Sequence, residues 1–166
     1  DGFLSDHYDP QEKALRLSED VYYGRSLSAV GVACHEAGHA LQDAHGYRPL
    51  ALRSALVPVT QVGSSLSWIV LTAGFVMHMT TMVYLGIALF AASVVFALVT
   101  LPVEWDASAR AKALMVRAGI VSPSERVHAG SVLNAAFLTY LAAAVTSILT
   151  LIYYLVRAGF FARDDE

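Results

Sequence analysis

Five consecutive residues, His35-Glu36-Ala37-Gly38-His39, have the types and spacing to bind a metal and put it to use. They form an HExxH pattern. On a helix, positions i and i+4 share a face, so both imidazoles can reach one Zn²⁺ at about 2 Å. Glu36 stands beside the first imidazole. From there its carboxylate can take a proton from a water attacking a carbonyl and pass it to the leaving amine. The chemistry indicated is metal-assisted hydrolysis of a peptide bond. Ala37 and Gly38 are small enough to let another element pack closely on this stretch. The competing reading is two histidines on a solvated helix face. The surrounding residues disfavour it, because polar groups on a mostly apolar, buried helix need partners.

A third ligand has two candidates. His45 stands where the extended motif HExxHxxGxxH places its last histidine. That motif needs Gly at the turn, and Gln42 occupies the position, so the helix would continue and carry His45 off the shared face. Glu104 is the other candidate. It is the first acid after fifty residues free of Lys, Arg, Asp and Glu that follow Arg53. Two histidines and a glutamate form a known catalytic zinc set that leaves a position for water. The bland reading of Glu104 is an acid at the solvated end of a helix.

These residues need elements to place them. A helix is expected over 27–44, with Leu27, Val30, Cys34, Ala37 and Leu41 at helical spacing. Ser26 or Ser28 can cap its start and Gly46 its end. The uncharged stretch accommodates two membrane spans at about 62–81 and 82–101, broken near His78-Met79-Thr80-Thr81. A helix over 102–118 carries Glu104 and continues the second span or follows it; Gly119 and Pro123 break it. A third span fits 129–156, preceded by a cap in Ser122-Pro123-Ser124-Glu125, with Tyr153 and Tyr154 as an aromatic belt. The membrane hairpin returns Glu104 to the side of the HExxH helix. Near the start, Asp6-His7-Tyr8-Asp9-Pro10 reads as a turn, and Lys13–Ser18 as a short strand whose edge could align a substrate backbone.

Composition supports a membrane protein. Of 166 residues, 56% are hydrophobic and 15% charged, against about 25% charged in ordinary soluble domains. A soluble all-α protein would have too little polar surface to cover such helices. The net charge of -3 argues against a nucleic-acid partner. The single cysteine, Cys34, excludes an intramolecular disulfide and a Cys-based zinc cluster, and reads as a small packing residue. Lys13, Arg16, Arg25, Arg48 and Arg53 precede the hairpin, and Arg110, Lys112, Arg117 and Arg126 follow it. Only Arg157 and Arg163 fall on the other side of three spans, so the positive-inside rule puts the HExxH helix on the cytoplasmic side. The chain opens at Asp1 with neither Met nor a basic leader, so a fragment or processed form is expected.

Several stretches together resemble the neutral zinc metallopeptidases of bacterial membranes, the YugP-like family. They are Leu4–Pro10, Leu15–Tyr22, Ser28–Gln42, Leu101–Ser108 and Val132–Tyr140. The resemblance spans nearly the whole chain. It implies a single mainly α, integral-membrane, zincin-like metallopeptidase domain over 1–166, with about three transmembrane helices, and one further membrane helix upstream. A wider likeness is to the HtpX-type membrane peptidases, which carry Glu-x-x-Ala-Asp after a membrane hairpin. Carried over, Glu104 matches the third ligand and Ala107 the alanine. Ser108 stands where an Asp would steady a zinc-bound histidine, and Ser108 itself, Asp106 or Asp43 could take that part.

The expected activity is therefore that of a Zn²⁺-dependent endopeptidase acting on a peptide or protein substrate at a lipid bilayer. His35, His39 and Glu104 hold the metal, and Glu36 is the base. A donor for the tetrahedral intermediate could come from His128, Arg126 or Tyr140. Asn134, inside the third span, needs a partner across helices or at the site. His7 reads as a turn residue and His78 as remote from the chemistry. The alternatives are a metal-binding membrane scaffold, which would not need Glu36, and a protease cutting within the bilayer. Arg25, Asp43 and Arg48, close to the motif, argue against the second.

Overall fold

The computed structural model describes residues 6–159. The element order is β1 (His7–Asp9), β2 (Ala14–Arg16), α1 (Glu19–Tyr22), α2 (Leu27–Ala44), α3 (Arg48–Val76), α4 (Thr80–Arg117) and α5 (Glu125–Arg157). Two compact units divide the chain. One takes the chain up to Ala51 together with Leu101–Tyr140; the other takes Leu52–Thr100 and the chain from Leu141 onward.

In the first unit, the segment expected as a turn at Asp6–Pro10 is instead half of a hairpin. β1 pairs antiparallel with β2, placing His7 opposite Arg16 and Tyr8 opposite Leu15. The turn lies further on. Asp9 accepts the backbone N–H groups of Gln11 at 2.9 Å and Glu12 at 3.1 Å, and Lys13 takes a φ of +51°. Those two N–H bonds hold the Asp9 carboxyl below its ordinary range. A Pro at the end of a strand is tolerated because its missing donor falls in the turn. Asp6 accepts the N–H of Ser18 at 2.6 Å and closes the other end of the hairpin.

Helix α2 has the bounds expected from sequence. Ser26 caps it, accepting the N–H of Ala29 at 3.1 Å. Gly46 ends it at φ +63°, with Gly46 N–H bonding to the Asp43 carbonyl and Tyr47 N–H to that of Gln42. This is a Schellman close, and the left-handed residue it needs is the glycine. The buried side of α2 packs Cys34 with Ala111, Met115, Val121, Ala129 and Leu133. That makes Cys34 the packing residue it was read as, and burial pushes its thiol pKa up. Ser122 and Glu125 form a capping box at the start of α5: Ser122 N–H reaches the Glu125 carboxylate at 2.8 Å, and Glu125 N–H returns to Ser122 Oγ at 3.3 Å.

In the second unit, α3 and α4 meet across a turn at 77–79, where His78 holds φ +55°. The break sits slightly earlier than the sequence pattern suggested, and α3 begins at Arg48, well before the span expected at 62–81. A residue with little side-chain bulk marks each close approach of these helices. A Cβ on Gly74 would come within 2.8 Å of the Val83 nitrogen, and one on Gly86 within 2.9 Å of the Leu71 nitrogen. Tyr154 packs with Leu71, Val83 and Ile87 and meets the rings of Trp68, Phe75 and Phe90. Only Tyr153 of the expected aromatic pair is exposed. Neighbours on a helix point about 100° apart, so one faces inward. Arg163, counted in the charge balance, and Leu4 and Ser5 of the family-like stretches lie outside the described residues.

All three long helices have the length and composition to cross a membrane. In their most apolar windows only 6–22% of residues are buried within the chain. Buried helices of a soluble protein would show the opposite. Faces carrying exposed Val62, Ile69, Leu85, Val95, Leu149 and Ile152 need an apolar solvent.

Candidate metal centre

α2 and α4 approach backbone to backbone where Gly38 faces Ala107. A Cβ at Gly38 would lie 2.4 Å from the Ala107 carbonyl oxygen. The small residue in the middle of the motif thus lets the His35–His39 face of α2 come down onto α4. Helix α4 runs on through Pro102, and the next turn presents Glu104, Ala107 and Ser108, all buried.

The result is a cluster of three donors. His35 Nε2 lies 3.0 Å from Glu104 Oε2, and His39 Nε2 lies 3.7 Å from Glu104 Oε1. One ligand atom from each residue falls within 4.8 Å of the others. Ligand atoms around a tetrahedral zinc, each about 2.0–2.1 Å from the ion, stand about 3.3 Å apart. The two imidazole–carboxylate distances bracket that value, and imidazole and carboxylate are donors that suit zinc. Glu104 is 1% exposed and His39 5%. A carboxylate this deep needs a cation or charged partners beside it.

Around the donors, Ser108 Oγ meets His35 Nδ1 at 3.2 Å, and Gln42 Oε1 meets His39 Nδ1 at 2.9 Å. Ser108 thus meets the ring nitrogen of His35 that faces away from Glu104. Asp106 acts through Gln42, whose Nε2 donates to Asp106 Oδ2 at 2.9 Å and to the Val103 carbonyl at 2.8 Å. Asp106 in turn accepts from Arg110 Nε at 2.5 Å.

Two residues considered as outer supports are engaged elsewhere. Asp43 accepts from the Tyr8 hydroxyl at 2.8 Å and lies 3.9 Å from Lys13 Nζ. Seven residues beyond Glu36, it shares that side of α2 but sits two turns further along. Asn134 accepts from Lys112 Nζ at 2.6 Å, so its amide oxygen is engaged across helices. His45 is exposed, its Nδ1 2.6 Å from the Leu41 carbonyl, and it is not in the donor cluster. Arg126 and His128 are exposed in the first turns of α5, and Tyr140 is 38% exposed further along it. His7 is exposed in β1, and His78 is in the turn of the other unit.

Glu36 is 9% exposed, and its Oε2 accepts the Tyr8 backbone N–H at 2.9 Å. The same Tyr8 reaches Asp43 with its hydroxyl. Burial and the Asp43 carboxylate push that hydroxyl pKa up to about 12. Strand β1 is thereby pinned along α2 at two points. Sequence reasoning missed both Gln42 and Tyr8 as supports. Gln42 had a signal, since a polar residue three positions after His39 lies on the same helix face. A backbone N–H such as that of Tyr8 has none.

Membrane-length helices and an HExxH helix facing a glutamate on a following helix define the class, a membrane metallopeptidase. Residues 1–159 match the family model described as "Putative neutral zinc metallopeptidase". The chain belongs to this family. It is 45% identical over 155 residues to the "Putative membrane protease YugP" of Bacillus subtilis strain 168, covering 93% of this chain and 69% of that protein. No solved structure matches the chain.

Proposed function

We propose that the chain hydrolyses peptide bonds as a zinc-dependent endopeptidase, with His35, His39 and Glu104 holding the metal and Glu36 serving as general base. One observation carries this reading. Glu104, 69 residues from His35 in sequence, places its two oxygens 3.0 and 3.7 Å from the two imidazole nitrogens. When bound there, zinc would polarise the scissile carbonyl and make water a better nucleophile. Glu36 takes the proton from the attacking water and delivers it to the departing amine. The Tyr8 N–H holds the Glu36 carboxylate in one orientation while it does so. In this reading the donor to the developing oxyanion is sought among Arg126, His128 and Tyr140 of α5, supported by their membership in the same unit as the metal ligands.

The test is metal content and hydrolysis of a peptide library by protein in lipid or detergent. A chelator is expected to abolish hydrolysis and zinc to restore it. Glu104→Ala is expected to weaken zinc binding by more than about 100-fold, beyond the 10–100-fold typical of an outer support. Hydrolysis that survives complete metal removal would refute the reading.

We further propose that the site faces the cytoplasm. The basic residues before α3 and between the second and third spans support this, against Arg157 beyond the third span. In a Cys34→Ala background, an impermeant maleimide applied to intact cells should label Met79→Cys and leave Glu12→Cys unlabelled. Labelling at position 12 alone would invert the topology.

A further inference from the structure

We propose that Gln42 is a positioning residue that locks His39 in the tautomer able to bind metal, in place of the carboxylate that often does this. The inference rests on the zinc reading above and deepens it.

The argument starts from what an amide can do. Its nitrogen only donates and its oxygen only accepts. Gln42 Nε2 lies 2.8 Å from the Val103 carbonyl oxygen and 2.9 Å from Asp106 Oδ2, both acceptors. The flipped amide would set an oxygen against two oxygens, so its orientation is determined by its neighbours. Gln42 Oε1 must then face His39 Nδ1, at 2.9 Å. An amide oxygen accepts only, so the ring carries a proton on Nδ1, and the neutral imidazole then presents its Nε2 lone pair to the donor cluster.

The alternative tautomer has a pull of its own. His39 Nε2 stands 3.7 Å from Glu104 Oε1, and a carboxylate attracts a proton on the facing nitrogen. Without Gln42, the proton would be drawn to the one ring atom that has to be bare. The lock is firm for two reasons. Gln42 is 0% exposed, so water does not compete for its oxygen. Its donor end is also tied to α4 at two points. One of these, Asp106, is fixed in turn by Arg110. A single side chain thus joins the imidazole on α2 to the backbone of the helix that carries Glu104.

His39 Nδ1 protonation can be read directly in metal-free protein at pH 8 by ¹⁵N spectra of labelled histidines, with the signal assigned by its loss in His39→Asn. The wild type is expected to carry the proton on Nδ1. In Gln42→Met, which keeps the length and removes both polar atoms, it is expected to move to Nε2. Zinc affinity, measured by chelator competition, should weaken about 10–100-fold in Gln42→Met. A wild-type ring protonated on Nε2 overturns the proposal even if no variant folds. So does a Gln42→Met protein that melts earlier but binds zinc within about twofold of wild type, since Gln42 would then only brace two helices. If the wild type holds no zinc at all, the metallopeptidase reading fails and takes this inference with it.

Discussion

Glu36→Gln is expected to keep its zinc and to lose peptide hydrolysis by about 10²–10⁴-fold, the range a general base contributes. The substitution changes little besides basicity. Gln has the same length, and its amide oxygen can still accept the Tyr8 N–H that Glu36 Oε2 accepts at 2.9 Å. The donor cluster of His35, His39 and Glu104 does not include Glu36, so metal content should not change. The amide cannot take a proton from water at neutral pH. The loss should therefore appear in kcat, with KM nearly unchanged, because substrate binding does not require the proton to move. Zinc content by atomic absorption alongside steady-state kinetics decides it. A fall in zinc that parallels the fall in activity would make Glu36 a structural residue. Unchanged activity would show that Glu36 is not the base, and hydrolysis by neither protein would return the chain to a metal-binding role.

Gly38→Ala is expected to take the site apart. The added methyl would lie 2.4 Å from the Ala107 carbonyl oxygen, 3.1 Å from its carbon and 3.2 Å from its Cα. All three atoms are backbone of α4, and no rotamer change relieves the contact. The helices must separate, and overpacking of this kind costs about 1–3 kcal/mol. Glu104 lies on α4 within one turn of Ala107, so a separation of about 1 Å moves the third donor away from both imidazoles. A displacement of that size is worth about 10²-fold in rate, and zinc should bind more weakly as well. Gly46→Ala is the control. It meets nothing within 4 Å, but it forces a side chain into φ +63°, which costs about 1–2 kcal/mol. It should lower Tm while leaving zinc affinity intact. If Gly38→Ala bound zinc as the wild type does, the close crossing of α2 and α4 would not be what builds the centre.

Much of this protein is legible from its residues because the signals are local. The bounds of α2 follow from Ser26 and Gly46, whose roles as cap and left-handed terminator depend only on the next few residues. The start of α5 follows in the same way from Ser122 and Glu125. HExxH declares its own geometry, since a spacing of four on a helix already sets two imidazoles side by side. Membrane helices announce themselves by fifty residues without a charge. The turn between α3 and α4 was harder to place, because His78 takes a left-handed conformation that its residue type does not advertise. The hairpin was half missed for a similar reason. Pro10 points to a turn, but only the pairing of His7 with Arg16 shows that a strand precedes it.

By itself, the sequence determined the chemistry of the centre: two histidines one helical turn apart, a glutamate beside the first, and a membrane-bound chain to carry them. It also favoured Glu104 over His45 as the third donor, while tertiary structure alone decided which groups support the ligands. The structure adds how Glu104 gets there: Gly38 lets α4 bring it onto the ligand face, while His45 lies exposed just past the end of α2. Gln42 and Ser108, rather than Asp43 or Asn134, face the ligating rings, since Asp43 and Asn134 are bound by Tyr8 and Lys112. The physical reason is range. Helix caps, periodicity and motif spacing act over a few residues, whereas a hydrogen bond to a buried imidazole depends on where two helices cross.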